Sequence, residues 1–187
     1  MGRIVVTEFV SLDGVAQAPG GEDFRHANWS FEFDRGEEGE RFKVEEALGA
    51  AALLLGRRTY EGFAAAWPQY EGELADKYNG MPKYVVSSTL TDPGWNNTRV
   101  LSGGLAEEVT RLKDEVDGDI SVAGSIRLVR GLIEHDLVDE LHLMTFPVLL
   151  GTGRRLFGET SDRSTWKPTE SITVGDGVLI TILQRAR

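Results

Sequence analysis

The sequence contains no cysteine, so disulfide bonds and metal sites built on thiolates are excluded. Its three histidines, His26, His135 and His142, are scattered along the chain, and we therefore expect neither a histidine-based metal site nor a catalytic triad. No apolar run approaches the length of a membrane span, and the apolar segment after Met1 is too short for a signal peptide. These absences predict a cytoplasmic protein without a metal and without a membrane partner.

Basic residues are scarce relative to acidic ones. The 187 residues include 20 Lys and Arg against 30 Asp and Glu, which gives a net charge of −10. This balance argues against binding nucleic acid through bulk electrostatics, although a local basic pocket for a phosphate remains compatible with it. Hydrophobic residues make up 41% of the chain, as in ordinary globular proteins, and the length predicts a single domain over residues 1–187.

The usual sequence signatures of nucleotide and nucleophile sites are also missing. No Gly-x-Gly-x-x-Gly follows the first predicted strand, and neither Gly-x-x-x-x-Gly-Lys-Ser/Thr nor Gly-x-Ser-x-Gly occurs. The common dinucleotide fingerprint, the P-loop and the nucleophile elbow are therefore excluded.

The hydrophobic pattern alternates between strands and helices along most of the chain. It predicts strands over residues 3–10, 51–55, 83–89, 99–101, 119–123 and 139–146. Helices are predicted over residues 41–50, 59–66, 105–116 and 125–134, the second ending before Pro68 and the last capped by Ser125. Residues 171–175 and 178–184 flank Gly175-Asp176-Gly177, a hairpin signal. The pattern predicts an α/β fold with a mainly parallel central sheet, helices on both faces and an antiparallel C-terminal hairpin.

The turn that follows residues 51–55 has the composition of a phosphate site. A short apolar run ends in Gly56, Arg57, Arg58 and Thr59, where a helix can begin. A helix start offers unpaired N–H groups and the positive end of a dipole, and arginines add charge-assisted donors. An ordinary strand-to-helix turn with solvated arginines fits the local pattern equally well.

Two further strand ends carry hydroxyl groups, at Ser87-Ser88 and at Gly124-Ser125. Ligands of open α/β sheets bind beyond the carboxyl ends of the strands, so three such ends favour a ligand with more than one phosphate, such as a dinucleotide. A plain strand-to-helix turn at Gly124-Ser125 is consistent with the same residues. A reaction that transfers a hydride from a cofactor would also need a proton source, and the acidic segment 32–40 is a candidate for it. For any single carboxylate of this segment, a position at a solvated helix start is the alternative interpretation.

Several motifs occur in a characteristic order. They are Ser11-Leu12-Asp13-Gly14, the Gly56–Glu61 turn, Ser87-Ser88, Gly124-Ser125, and the segments 137–141 and 147–153. Together they resemble the dihydrofolate reductase superfamily, and more closely the reductase domain of the bacterial riboflavin-biosynthesis deaminase-reductase and its stand-alone relatives. The likeness extends over nearly the whole chain.

The resemblance implies a dihydrofolate reductase-like fold, NADPH as cofactor, a homodimer, and hydride transfer to a small pterin-like or ribosylamino-pyrimidine-like substrate. It places the following residues at the cofactor: Gly56, Arg57, Arg58 and Thr59 at its phosphates, Ser87 and Ser88 beside the adenosine 2′-phosphate, and Gly124 and Ser125 under the pyrophosphate. Ala123 departs from the family pattern, because the folate enzymes have there the first of two glycines joined by a cis peptide.

The resemblance also implies catalytic residues. Asp13 falls in the segment that matches the mobile loop near the nicotinamide. The proton donor is expected to be a carboxylate on the helix before the Gly-Arg turn; Glu40 is preferred for its distance from Gly56, with Asp34, Glu37 and Glu38 as the other choices. A non-catalytic nucleotide- or pterin-binding protein on the same fold is the alternative. A ligand-free dimeric scaffold is a third possibility, which predicts that Arg57 and Arg58 pair with surface acids.

Overall fold

The strands of this sequence form one eight-stranded sheet in the computed structural model, which describes residues 1–21, 23–159 and 162–186. The strands are β1 (Arg3–Ser11), β2 (Ala52–Gly56), β3 (Lys83–Val86), β4 (Thr98–Leu101), β5 (Asp119–Ala123), β6 (Glu140–Phe146), β7 (Trp166–Val174) and β8 (Val178–Arg185). Their order across the sheet is β4-β3-β2-β5-β1-β6-β8-β7.

The first six strands pair in parallel, whereas β8 runs antiparallel to β6 and to β7. The β7–β8 hairpin turns at Gly175 and Gly177, both of which have positive φ. The predicted mainly parallel sheet with an antiparallel C-terminal hairpin is therefore confirmed.

Five α-helices connect the strands in the described part of the chain. They are α1 (Gly36–Gly49), α2 (Arg57–Ala66), α3 (Glu73–Gly80), α4 (Leu105–Glu115) and α5 (Ile126–Glu134). Helix α2 ends before Pro68, as predicted, and a short 3-10 helix follows at Trp67–Gln69. Helix α1 begins five residues earlier than the predicted start at residue 41; its first turns carry Glu37 and Glu38 and no apolar stripe. None of these helices is both long and apolar enough to cross a membrane.

The helices cover both faces of the sheet. Helices α4 and α5 pack on one face, in a core that includes Leu54, Val109 and Leu132. Helices α2 and α3 pack on the other face around Leu53, and α1 adds Phe42 to an aromatic cluster on β6 and the C-terminal hairpin. Strand β2 is apolar throughout because both of its faces are covered, which explains the continuous apolar run in the sequence.

Parallel pairing brings the carboxyl ends of β1, β2, β3 and β5 to one edge of the sheet. Strand β5 lies between β1 and β2. The turn after Gly56 and the turn after Ala123 are therefore direct neighbours, and this adjacency positions the site described next.

Candidate functional site

The turn between β2 and α2 and the turn between β5 and α5 are hydrogen-bonded to each other. The backbone N–H of Gly56 donates to Oγ of Ser125 at 2.9 Å, and the N–H of Ser125 donates to Oγ1 of Thr59 at 2.9 Å. Because α2 and α5 lie on opposite faces of the sheet, these two bonds join the starts of both helices at one point of its edge. We call this pair of turns the joined turns.

The close approach of the joined turns requires glycine at position 124. Gly124 has a φ of +58°, in the left-handed region where a side chain is disfavoured. A Cβ atom added there would lie 3.0 Å from both Cγ2 and Oγ1 of Thr59. The peptide bonds between described residues are all trans, so the bond between Ala123 and Gly124 is trans.

Ser125 has a different role from the predicted one. It occupies the N-cap position of α5 but makes no side-chain cap hydrogen bond to that helix. Its hydroxyl group instead accepts the N–H of Gly56, from the other side of the sheet. The prediction that the Ser125 side chain caps α5 is therefore wrong; the residue has a left-handed φ of +58° and not the extended backbone that is typical of a capping residue.

Helices α2 and α5 both begin without a side-chain cap. The first N–H groups of an α-helix have no intrahelical partner, and they carry the positive end of the helix dipole. Two such starts side by side place unpaired donors at one point of the sheet edge, and helix starts of this kind bind phosphate groups in proteins. The joined turns can therefore hold an anion with more than one phosphate.

The predicted phosphate arginines lie at the rim of the joined turns. Nε of Arg57 donates to Glu61 at 2.7 Å, and its Nη1 donates to Oγ1 of Thr89 at 2.5 Å. The scaffold hypothesis predicted such an acid partner. However, the side chains of Arg57 and Glu61 are 45% and 52% exposed, and exposed ion pairs contribute little free energy, so this pairing holds Arg57 in place only weakly. The side chain of Arg58 is also exposed.

Ser87 and Ser88 follow β3, next to the Thr89 that contacts Arg57. Oγ of Ser87 accepts the N–H of Leu90 at 3.0 Å, which shapes the turn after the strand. Ser88 is exposed, so its hydroxyl group is open to solvent. The structure thus brings the second predicted strand end to the same rim as Arg57.

Asp13 connects two loops. Its carboxylate accepts hydrogen bonds from Oγ of Ser11 at 2.6 Å, from the N–H of Leu150 at 3.1 Å and from the N–H of Gly151 at 2.8 Å. The hydrogen bond from Ser11, with further ones from the backbone, lowers the pKa of Asp13 to about 2. A carboxyl group with that pKa is ionised at neutral pH. Its catalytic assignment stays a prediction, and the geometry supports a role in positioning the loops.

The carboxylates predicted to donate a proton are exposed. Glu40 has a side chain that is 57% exposed, and it pairs with Arg35 at 2.6 Å. Asp34, Glu37 and Glu38 are exposed as well. The structure therefore offers no buried acid in the segment from residue 34 to residue 40, and the assignment of Glu40 stays an untested prediction.

A buried polar cluster between α1, β1 and β6 was missed from the sequence. Nζ of Lys43 donates to Oε2 of Glu46 at 2.5 Å and to Oγ1 of Thr7 at 2.6 Å. His142 lies between two carboxylates, with Nδ1 at 2.5 Å from Glu46 and Nε2 at 2.7 Å from Glu140. Both ring nitrogens face acceptors, so the imidazole satisfies both contacts as donor only when it is protonated.

The charges in this cluster shift the pKa values of its members. Burial acts to raise the pKa of Glu46, but the charge and hydrogen bonds of Lys43 and His142 lower it to about 2. Burial acts to lower the pKa of His142, but the hydrogen bonds with Glu46 and Glu140 raise it overall. The cluster is therefore a set of mutually neutralising charges that fixes α1 against the sheet.

Glu8 is a further buried acid, outside that cluster, that the sequence analysis missed. It lies in β1 and is only 4% exposed, and burial raises its pKa well above the usual value. A single charged residue within the otherwise apolar and hydroxyl-bearing segment of residues 4–10 was the available signal.

Among the described residues, no group of three or more His, Asp and Glu is arranged to hold a metal ion.

Comparison with known proteins gives a consistent family and fold. Residues 3–180 match the family described as the RibD C-terminal domain. Two proteins of Bacillus subtilis (strain 168), the uncharacterized proteins YyaP and YwjB, are each 28% identical to this chain. The match to YyaP covers 95% of this chain and 92% of YyaP, and the match to YwjB covers 83% and 82%.

Solved structures share the fold. A putative riboflavin biosynthesis protein from Shewanella sp. PV-4 superposes with a TM-score of 0.80 at 22% identity, over 99% of both chains. Dihydrofolate reductase from Enterococcus faecalis, complexed with NADP(H) and RAB-propyl, gives 0.65 at 14% identity over 99% and 97%. A pyrimidine reductase-like protein from Corynebacterium diphtheriae gives 0.65 at 15% identity over 99% and 92%. The predicted dihydrofolate reductase-like fold is confirmed.

Proposed function

This chain belongs to the RibD C-terminal domain family, and we propose that it is an NADPH-dependent reductase that transfers a hydride to a small heterocyclic substrate. The family and the fold support a reductase-type activity. The observation that carries the more specific proposal is the pair of joined turns, where two uncapped helix starts converge. Pterin-like and ribosylamino-pyrimidine-like compounds are the proposed substrate classes.

The residues of the joined turns fit the phosphates of NADPH. The first N–H groups of α2 and α5 would hold the pyrophosphate, and Gly124 allows the two turns to lie close enough together, because a Cβ there would meet Thr59. Arg57 and Arg58 would add charge at the rim, which a chain with a net charge of −10 otherwise lacks. Ser87 and Ser88 would lie by the 2′-phosphate. When bound, NADPH would supply the hydride.

The proposed substrate site lies between the loop after β1 and the loop after β6. These loops are connected through Asp13 and through the bridge that pairs Val15 with Arg155. Leu12 and Leu149, one from each loop, are 60% and 71% exposed. They offer apolar surface to a flat ring, and the connected loops would limit the access of water to it.

The proposal is tested by titrating the purified protein with NADPH and, separately, with NADH. Binding would be followed through the fluorescence of the four tryptophans. We expect saturable binding that is clearly tighter for NADPH. A screen with dihydrofolate, other pterins and ribosylamino-pyrimidines would then follow the loss of reduced-nicotinamide absorbance. A folded protein that binds neither nucleotide would contradict the proposal. The homodimer implied by the resemblance stays a prediction, to be checked by analytical ultracentrifugation.

A non-catalytic nucleotide- or pterin-binding protein is the second candidate function. The observation that favours it is the exposure of all four carboxylates from which the proton donor was expected, together with the low pKa of Asp13. Tight NADPH binding without NADPH oxidation by any compound of the screen would support this alternative.

A further inference from the structure

Helix α1 buries little apolar surface for its length. Of its residues, Gly39 and Ala47 are buried, and neither has a large side chain; the larger apolar side chains of the helix are only partly buried. Helix α4, in contrast, buries Val109 and Leu112. Most of the stability of a docked helix comes from packing of its apolar face, so α1 depends more than α4 on its polar contacts.

The start of α1 is attached to the turn of the β7–β8 hairpin. The N–H of Asp34 donates to Oδ2 of Asp176 at 2.8 Å, and the N–H of Asp176 donates to the backbone oxygen of Asp34 at 2.7 Å. One turn into the helix, Gly39 packs on Val174, because an added Cβ would lie 3.0 Å from Cγ2 of that residue. None of these contacts involves a histidine.

The second half of α1 is attached to β1 and β6 through the buried polar cluster. Glu46 accepts a hydrogen bond from Oγ1 of Thr7 at 2.8 Å, and its other oxygen lies 2.5 Å from Nδ1 of His142. Nε2 of His142 faces Glu140 at 2.7 Å. An imidazole donates from both nitrogens only when it is protonated. If it loses a proton, one nitrogen becomes an acceptor that faces a carboxylate oxygen, and that contact becomes unfavourable.

Several further titratable or charged groups lie around His142. They are Lys43 and Glu46 on α1, Tyr78 on α3, Arg3 and Glu8 on β1, and Glu140 on β6. Burial and the charge of Glu46 raise the pKa of Tyr78 to about 12, so this residue stays neutral. Arg3 at 3.5 Å and Gln184 of β8 at 3.2 Å donate to Oε2 of Glu140, which leaves Oε1 for His142.

Glu8 is the other member of this surrounding that can change its charge near neutral pH. Burial raises its pKa well above the usual value, the charge of Lys43 opposes the shift, and the charge of Glu46 adds to it. Its Oε1 has no hydrogen-bond partner. Side chains alternate along a strand, so Glu8 faces α4 and α5, together with Val6 and Val10. It therefore makes no contact that attaches α1.

We propose that the proton on His142 controls whether the second half of α1 stays docked on the sheet. With both ring nitrogens protonated, His142 connects Glu46 of the helix to Glu140 of β6. Loss of one proton releases this half of α1, while its start remains on the hairpin. The release would uncover β1 and β6, whose ends carry the loops of the proposed substrate site. The inference goes beyond the reductase function proposed above and does not depend on it.

The direction of the pH effect follows from the two states of α1. The contacts with Glu46 and Glu140 raise the pKa of His142 while the helix is docked, and its release returns this pKa toward about 6.5. Below that value both states carry the proton, so the released population is constant. Between the two pKa values the release gives up a proton, and its equilibrium constant should rise by up to about tenfold for each pH unit.

The first test is native-state hydrogen exchange of the whole chain, with protection corrected for the intrinsic exchange rate at each pH. Amides of residues 43–49 should be less protected than those of α4, nearly independent of urea below the unfolding transition, and up to about tenfold less protected for each pH unit above about 6.5. Helix α4 contains no histidine, and its protection should fall with urea, as expected for global unfolding. If residues 43–49 match α4 in protection and in urea dependence, α1 opens only with the whole chain and the proposal is wrong.

The second test removes the titrating group. In His142→Asn the protection of residues 43–49 should be low and should no longer change between pH 6 and pH 9, roughly the range in which a histidine with a raised pKa titrates. The variant retains Glu8, so a pH dependence equal to that of the wild type would assign the effect to another group and overturn the proposal. Wild-type protein labelled with 15N in histidine provides a measurement that needs no variant. Both ring nitrogens of His142 should be protonated at neutral pH, and a neutral ring there would equally overturn the proposal.

Discussion

Gly124 and Thr59 approach each other so closely that a methyl group on Gly124 would lie 3.0 Å from two side-chain atoms of Thr59. Gly124→Ala should therefore destabilise the protein by at least about 1–2 kcal/mol, since an L side chain is strained at this φ, and it should weaken NADPH binding. Urea unfolding and the fluorescence titration would measure both effects.

Gly62→Ala is the matched control for this variant. Gly62 lies inside α2, and an added Cβ would meet no atom within 4 Å. Replacing a helical glycine with alanine should stabilise the protein by about 0.5–1 kcal/mol. Equal effects of the two substitutions would contradict the close approach of the joined turns.

Arg57→Ala should weaken NADPH binding by about 2–3 kcal/mol, because a charge-assisted hydrogen bond to a phosphate is lost. Arg111→Ala is the control, since Arg111 is also exposed and also pairs with a glutamate four residues away in a helix. The fluorescence titration would compare the two Kd values with the wild type. If Arg57→Ala binds NADPH as tightly as the wild type, then Arg57 of the wild type stays paired with Glu61 and does not contact the cofactor.

Replacing Ser87 and Ser88 together with alanine should reduce the affinity for NADPH by about 1–3 kcal/mol and leave the affinity for NADH nearly unchanged. The reason is that only NADPH carries the 2′-phosphate that these hydroxyl groups are proposed to contact. Parallel titrations with the two nucleotides would measure the difference. Equal losses of affinity for NADPH and NADH would show that Ser87 and Ser88 do not contact the 2′-phosphate.

Asp13→Asn should loosen the contact between the loops after β1 and β6. The charged acceptor of two backbone N–H groups is lost, which should cost about 2 kcal/mol. Amide hydrogen exchange at Leu150 and Gly151 should then become roughly 10-fold faster or more. Asp114→Asn, at an exposed position of α4, should leave this exchange unchanged. Unchanged exchange in Asp13→Asn would argue against the structural role of Asp13.

The free energy of unfolding should depend on pH through His142. Its pKa is raised in the folded protein, so its contribution is fully present below the unfolded value of about 6.5 and is lost as pH rises through the folded pKa. Below a pH of about 6.5, His142→Asn should lower the free energy of unfolding by about 3 kcal/mol, because Glu46 loses a charged partner. The cost should shrink at higher pH. A cost for His142→Asn that is constant with pH would contradict the protonated state.

Local patterns were sufficient to predict most of the fold. The apolar run before Gly56 predicted a strand covered on both faces, and the glycines at 175 and 177 predicted the final hairpin. Helix α3 was not predicted, because its sequence is mostly polar and only Ala75 is buried in it. The position of a helix that contributes so little to the core depends on its neighbours and not on its own periodicity.

The candidate site was predictable only in part. The motifs around Gly56 and Gly124 indicated phosphate binding, but the hydrogen bonds that join them connect residues 69 and 66 positions apart. The contact of Glu46 with His142 spans 96 positions. Such contacts are consequences of strand order, which local spacing does not specify. Glu8 was visible as one acid in an apolar strand, but its missing partner emerges only from the packed structure.

The joined turns also couple two cores that are otherwise separated by the sheet. Helix α5 belongs to one core and α2 to the other, yet their first turns share hydrogen bonds. An anion held by both starts would lose part of its affinity whenever either core opened. A higher concentration of such a ligand would therefore raise the free energy of unfolding of the whole chain, and not only of the helices on one face of the sheet.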